Sequence, residues 1–237
     1  MMIILDLLEF QILAAAKGME SYYGISEGKS YRQEEIYYAV HQMLQAGILQ
    51  KEEDCLKVQS PLSRYLDWMQ KGKCVLVIER RPGAYPRQCL YGTSSGFLCL
   101  ECSTTDKDRV FLYEIRKEEL PEELGNAGQL PEEKLTKDIG SYDFDCYWEQ
   151  HMDGSVREML QKSEETGTKS FWECPQAYSV FSLHEKTTGE LQKRLILWEL
   201  PLEYCMVLWE MGGELRFQRY EREKARKIID SWWREET

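Results

Sequence analysis

The sequence lacks any stretch approaching the roughly 20 apolar residues that a bilayer-spanning helix needs. Its opening, Met1-Met-Ile-Ile-Leu-Asp6, has no basic segment and meets acids at Asp6 and Glu9. No membrane insertion and no secretory signal are therefore expected, and the protein is predicted to be cytoplasmic. Basic charge is scarce as well: 30 Lys and Arg against 41 Asp and Glu leave a net charge of −11. That field repels phosphate backbones, so nucleic acid is not an expected partner. The three histidines, His41, His151 and His184, fall outside any GxSxG elbow or HExxH pattern. The phosphate cradles GxxxxGKS/T and GxGxxG are missing too. No catalytic residues and no cofactor are predicted, and the chain reads as a binding protein sooner than as an enzyme.

Eight cysteines are present, but without a signal for export they are expected as free thiols, mostly buried. Cys99-Leu-Glu-Cys102 has the spacing of a redox or zinc motif. On a strand, period 2 sends Cys99 and Cys102 to opposite faces, and no second cysteine pair exists to complete a metal site. Asp143 and Asp145 form a close aspartate pair, read as acids at a helix N-terminus, where the dipole favours them. A dispersed Cys and His site remains as the enzymatic alternative, since such groups assemble across distance in sequence.

What is present points to folded structure. Hydrophobic residues make up 43% and aromatics 12%, with seven Trp and fourteen Tyr, enough for large packed faces or a contact surface. Two halves end alike. Arg109-Val-Phe-Leu-Tyr-Glu-Ile-Arg-Lys-Glu-Glu-Leu120 and Glu214-Leu-Arg-Phe-Gln-Arg-Tyr-Glu-Arg-Glu-Lys-Ala225 each switch from alternation to helix formers. The first meander is expected near Cys74–Arg80, Gln88–Tyr91, Gly96–Cys102 and Arg109–Ile115. The second is expected near Ala177–His184, Gln192–Leu200, Tyr204–Glu210 and Leu215–Arg219. Helices are predicted over Leu5–Gly18, Gln33–Ala46, Ser60 to Gly72, Glu118–Leu124, Tyr142–His151, Ser155–Lys162 and Tyr220 to about Trp233. In the second of these, Ile36, Val40, Met43 and Leu44 form the apolar face. The fold class is α+β: two similar halves, a pseudo-twofold, each an antiparallel meander with flanking helices. The halves are placed at 1–125 and 126–237, joined near the Pro- and Glu-rich stretch Pro121 to Glu133.

Helix Gln33–Ala46, hairpin Gln50–Val58 and the next helix form a winged-helix-like element near the N-terminus. A transcriptional regulator is the corresponding alternative function. However, Lys29, Arg32, Lys51 and Lys57 are outnumbered there by Glu27, Glu34, Glu35, Glu52, Glu53 and Asp54. Recognition helices lean on Arg, Lys, Asn and Gln, so a wing used for protein packing fits better.

Three segments together resemble the EspG proteins, cytosolic chaperones of the ESX (type VII) secretion systems. They are Ile3-Ile-Leu-Asp-Leu-Leu-Glu-Phe-Gln-Ile-Leu-Ala-Ala-Ala-Lys-Gly18, Ala39-Val-His-Gln-Met-Leu-Gln-Ala-Gly-Ile-Leu49, and the closing strand and helix from Leu215 to Trp233. The resemblance spans nearly the whole chain. It implies paired α/β halves around antiparallel sheets, and binding of folded helical secretion substrates that are kept soluble and delivered to the membrane machinery. Expected contact zones are the turn bearing Thr104 and Lys107, the aromatic segment bearing Tyr147 and Trp148, and the last helix at Trp233. Trp232 and Trp233 are adjacent on a helix, so one of them is expected to be at least partly exposed or to cover an edge.

Overall fold

A computed structural model describes residues 2–19, 22–25, 30–53, 55–80, 87–93, 95–103, 108–126, 129–132, 177–199, 204–212 and 216–234. The protein is a mixed helix and sheet fold built on antiparallel strands. Two compact units divide it: residues 1–78, 86–120 and 184–190 form the first, and 79–85, 121–183 and 191–237 the second.

In the first unit, β1 (Met2–Asp6) leads directly into α1 (Leu7–Ala16). The Glu9 carboxylate accepts the Asp6 N–H at 2.9 Å, one arm of a capping box at the helix start. This corrects the single helix expected from Leu5. Met2–Leu5 is apolar without a period, and Leu5 pairs with Val110 in a strand instead, a partner invisible to local pattern. Then come α2 (Gln33–Gln45), the hairpin β2 (Leu49–Glu52) and β3 (Cys55–Val58), and α3 (Leu62–Lys71). Gly47 takes φ +71°, which lets the Ile48 N–H turn back to the Met43 carbonyl at 2.9 Å and close α2.

Strands β4 (Cys74–Arg80), β5 (Gln88–Gly92), β6 (Gly96–Cys102) and β7 (Arg109–Arg116) form the expected meander, with bounds within a residue of those read from alternation. Strand β1 adds to its end, giving the order β1-β7-β6-β5-β4 with antiparallel neighbours. Phe10, Leu13 and Ala14 of α1 and Tyr65, Leu66 and Met69 of α3 pack with Leu98, Leu100, Val110 and Leu112 of the sheet. Each large side chain so buried contributes about 1.5–3 kcal/mol. Leu98, Leu100 and the half-buried Cys102 share this face, whereas Cys99 lies outside that cluster, as period 2 requires.

Helix α4 (Leu120–Asn126) starts at the end of the first unit, and the second unit follows. It contains β8 (Ala177–Glu185, whose last two residues belong to the first unit), β9 (Leu191–Glu199), β10 (Tyr204–Glu210), β11 (Arg216–Arg219) and α5 (Arg222–Arg234). The strand order is β8-β9-β10-β11, with β9, β10 and β11 antiparallel. Leu195, Ile196, Leu197 and Trp198 are all buried, so both faces of β9 are covered along this four-residue apolar run. The Tyr220 hydroxyl donates to the Pro131 carbonyl at 2.8 Å, and Arg222 pairs with Glu132. Together they fix the start of α5. Arg194 of β9 donates its Nε proton to Ser182 Oγ at 3.2 Å; burial lowers its pKa to about 10, against the opposing pull of Glu79.

Trp232 and Trp233 are both buried, at 2% and 6% exposure, so neither is the partly exposed residue that adjacency allowed. Ala225, Ile229, Trp232 and Trp233 occupy positions i, i+4, i+7 and i+8, which fall in one stripe about 100° wide. A stripe of that width holds two neighbours. The helices expected at Tyr142–His151 and Ser155–Lys162 lie outside the described residues.

Candidate binding surface

Helix α2 is capped by Arg32, whose N–H is taken by the Glu35 carboxylate at 2.7 Å. Met43 is its one buried residue. Ile36, Tyr37 and Tyr38 stand 37%, 65% and 68% exposed, with Glu34 and Glu35 beside them in the first turn. The Tyr37 hydroxyl accepts from Gln33 Nε2 at 2.9 Å, which orients that ring along the helix. Large exposed apolar and aromatic side chains grouped on one turn mark an interaction surface sooner than a packing accident. Sequence reading put Ile36 in the packed stripe, and it missed the two tyrosines. The signal was there: Tyr37 and Tyr38 are adjacent, and Tyr38 falls opposite the stripe defined by Met43.

The chain ahead of α2 is pinned to the sheet. Tyr91 of β5, fully buried, uses its hydroxyl to accept the Tyr23 N–H at 2.9 Å and to donate to the Tyr23 carbonyl at 3.2 Å. Burial raises the Tyr91 pKa well above the ordinary phenol value. Gly24 next to it has φ +91°, and a Cβ there would come within 2.6 Å of Cys89 Sγ. The Cys102 thiol donates to the Gly24 carbonyl at 3.4 Å, and Tyr22 packs edge-on to Phe10 at 5.0 Å. Tyr23 in turn donates to the Glu185 carbonyl at 3.4 Å and lies 5.4 Å from the His184 ring. Residues 184–190 close on the same unit through Lys186, whose N–H bonds the Lys73 carbonyl at 2.8 Å and whose ammonium bonds the Gln70 carbonyl.

Of the expected contact residues, Thr104, Lys107, Tyr147 and Trp148 lie outside the described residues. On either side of residues 104–107, the Ser103 N–H bonds the Arg109 carbonyl at 3.0 Å. Trp233 is described and is buried, at 6% exposure.

Of the six described cysteines, Cys74, Cys89, Cys99 and Cys205 are buried, Cys102 is half-buried and Cys55 is exposed. Burial, with the nearby Glu101 carboxylate, pushes the Cys102 thiol up, away from the thiolate a nucleophile needs. Among the described residues no group of three or more His, Cys, Asp and Glu is placed to hold a metal ion. His41 contacts Gln45 at 3.0 Å and His184 the Gly189 carbonyl at 3.2 Å. Among the described residues, no helix is long and apolar enough to cross a membrane.

No protein-family model matches the sequence, and neither does any curated protein. Among solved structures, the Mycobacterium tuberculosis type VII secretion system chaperone EspG5 in complex with a PE25–PPE41 dimer is similar, with a TM-score of 0.55. The match covers 94% of this chain and 92% of that chain at 9% sequence identity. At that identity the likeness is one of fold, and the chain has an EspG-like fold.

Proposed function

We propose that the protein is a non-enzymatic, cytoplasmic binding protein that holds helical secretion substrates, in the manner of a type VII secretion chaperone or adaptor. The observation that carries this reading is the fold likeness, which runs over almost the full length of both chains and has as its counterpart a chaperone solved with a bound PE25–PPE41 dimer. The exposed Ile36, Tyr37 and Tyr38 add a surface of the right chemistry, able to cover an apolar patch on a partner helix. The segment bearing Thr104 and Lys107 and the segment bearing Tyr147 and Trp148 are proposed as further contact zones. Trp233, being buried, would act by holding α5 in place. The two halves as a true structural repeat, and α2 with its hairpin as a wing used for protein contact, are part of the proposal.

The test is affinity capture with the tagged protein from its host cytosol, read by mass spectrometry with and without nuclease. The captured protein is then reconstituted with purified chain. Recovery of small helical proteins near stoichiometry, with affinity weakened by Tyr37→Ala and Tyr38→Ala, supports the chaperone reading. Nucleic acid that disappears on nuclease treatment would favour the winged-helix regulator instead.

A further inference from the structure

Among the described residues, strand β1 ends its sheet, next to β7. The Leu7 N–H bonds the Asp108 carbonyl at 2.6 Å, and the register continues through Asp6 opposite Arg109, Leu5 opposite Val110 and Ile3 opposite Leu112. Hydrogen-bonded pairs alternate in an antiparallel ladder. The N–H and C=O of Ile3, Leu5 and Leu7 therefore turn toward β7, and those of Met2 and Ile4 turn away from it. Among the described residues no strand lies beyond β1. The Met2 and Ile4 side chains stand 58% and 52% exposed, while Leu5 is buried. Met2 to Leu5 carries no charge and no proline, and Asp6 is the one charged residue of β1, so the first four residues lack the charges and prolines that normally keep an edge strand single.

We propose that β1 pairs antiparallel with β1 of a second copy of this chain, about a twofold axis at Ile3. Met2 then lies opposite Ile4 of the second copy, and Ile4 opposite Met2 of the second copy. In that register the outward N–H and C=O groups of both residues are matched, giving four backbone hydrogen bonds. Directly opposed side chains share a face, so the two methionines and two isoleucines close into one apolar cluster. A shift that set Ile4 opposite itself would bring Asp6 against Met2, burying carboxylates beside a thioether at a cost. The uncharged register is selected by that difference. An edge this short makes a small interface, so the dimer is weak, with a dissociation constant on the order of 10 µM. Two chains of net charge −11 repel each other, so added salt tightens the dimer, the reverse of an interface held by ion pairs.

Sedimentation equilibrium on the full chain, from about 1 µM to about 300 µM, tests this at low and high salt. Two variants at the edge carry the decision. Ile4→Lys places a charge at the contact. Ile4→Pro deletes an N–H that β7 does not use, a substitution that edge strands accept. The expected result is a concentration-dependent dimer that tightens with salt, with its dissociation constant raised at least about tenfold by either variant. Tyr37→Ala leaves it unchanged, which separates this contact from the proposed substrate surface. A wild-type chain that stays monomeric throughout overturns the proposal, as does a dimer indifferent to Ile4→Lys.

Discussion

The hydroxyl of Tyr91 closes both main-chain groups of Tyr23, accepting from its N–H at 2.9 Å and donating to its carbonyl at 3.2 Å. One buried phenol thereby does for Tyr23 what a neighbouring strand would do. Removing the oxygen leaves a donor and an acceptor unmatched beside a closed core. Tyr91→Phe should destabilise the protein by about 1–3 kcal/mol, seen as a lower urea midpoint with an unchanged slope. An unaltered midpoint would mean that water replaces the phenol freely.

Alkaline pH probes the same group. The folded-state pKa of Tyr91 is raised above its ordinary 10, so its contribution is fully present below about pH 10. It is lost as the pH climbs from there toward the folded value, because the unfolded chain ionises first. Lys186 is shifted down by burial and Arg194 down to about 10, and both work in the opposite sense. The measurement is therefore the difference in urea stability between wild type and Tyr91→Phe from pH 8 to 11. It should narrow above pH 10 by up to about 1.4 kcal/mol per unit; a constant difference would contradict the buried phenol.

Gly24 combines a left-handed φ of +91° with a Cβ position 2.6 Å from Cys89 Sγ and 3.0 Å from Leu100 Cδ2. Gly24→Ala should cost about 2–4 kcal/mol, from backbone strain and overpacking together. Adding Cys89→Ala should recover part of that loss, because the sulfur clash goes and the strain stays. A double-mutant cycle in thermal or urea unfolding measures the coupling, and additive losses would count against the contact.

Aromatic residues on α2 and α5 should respond in opposite ways. Tyr37→Ala and Tyr38→Ala, at exposed positions, should change stability by no more than about 0.5 kcal/mol while weakening a helical partner by about 1–2 kcal/mol each. Trp233→Ala should cost about 3–5 kcal/mol of stability, because the ring is buried. Calorimetry of the free chain and of its complex distinguishes the two. A stable Trp233→Ala protein that has lost its partner would move the contact to α5.

Alternation made the meanders legible. Cys74–Arg80, Gly96–Cys102 and Tyr204–Glu210 have the bounds that period and turn residues predict, because sheet faces select side chains locally. Strand β1 is ambiguous in composition alone: Met2-Ile-Ile-Leu5 fits a strand or a helix start until its pairing with β7 decides. Tyr22–Ile25 looks like an ordinary Gly, Ser and Tyr loop, and its order depends on Tyr91, far along the chain. Adjacent Trp232 and Trp233 are both buried in a broad stripe, whereas adjacent Tyr37 and Tyr38 are both exposed on a helix that buries little.

The assignment of residues 184–190 to the first unit, and of 79–85 to the second, constrains how the chain can come into being. On a ribosome, the first unit has to wait for a piece that emerges only after residues 121–183 have been made. Until then Tyr23 lacks the Glu185 carbonyl and Lys73 lacks the Lys186 N–H. Neither unit corresponds to one contiguous stretch of the chain, so neither can be cut out of it by a single pair of boundaries.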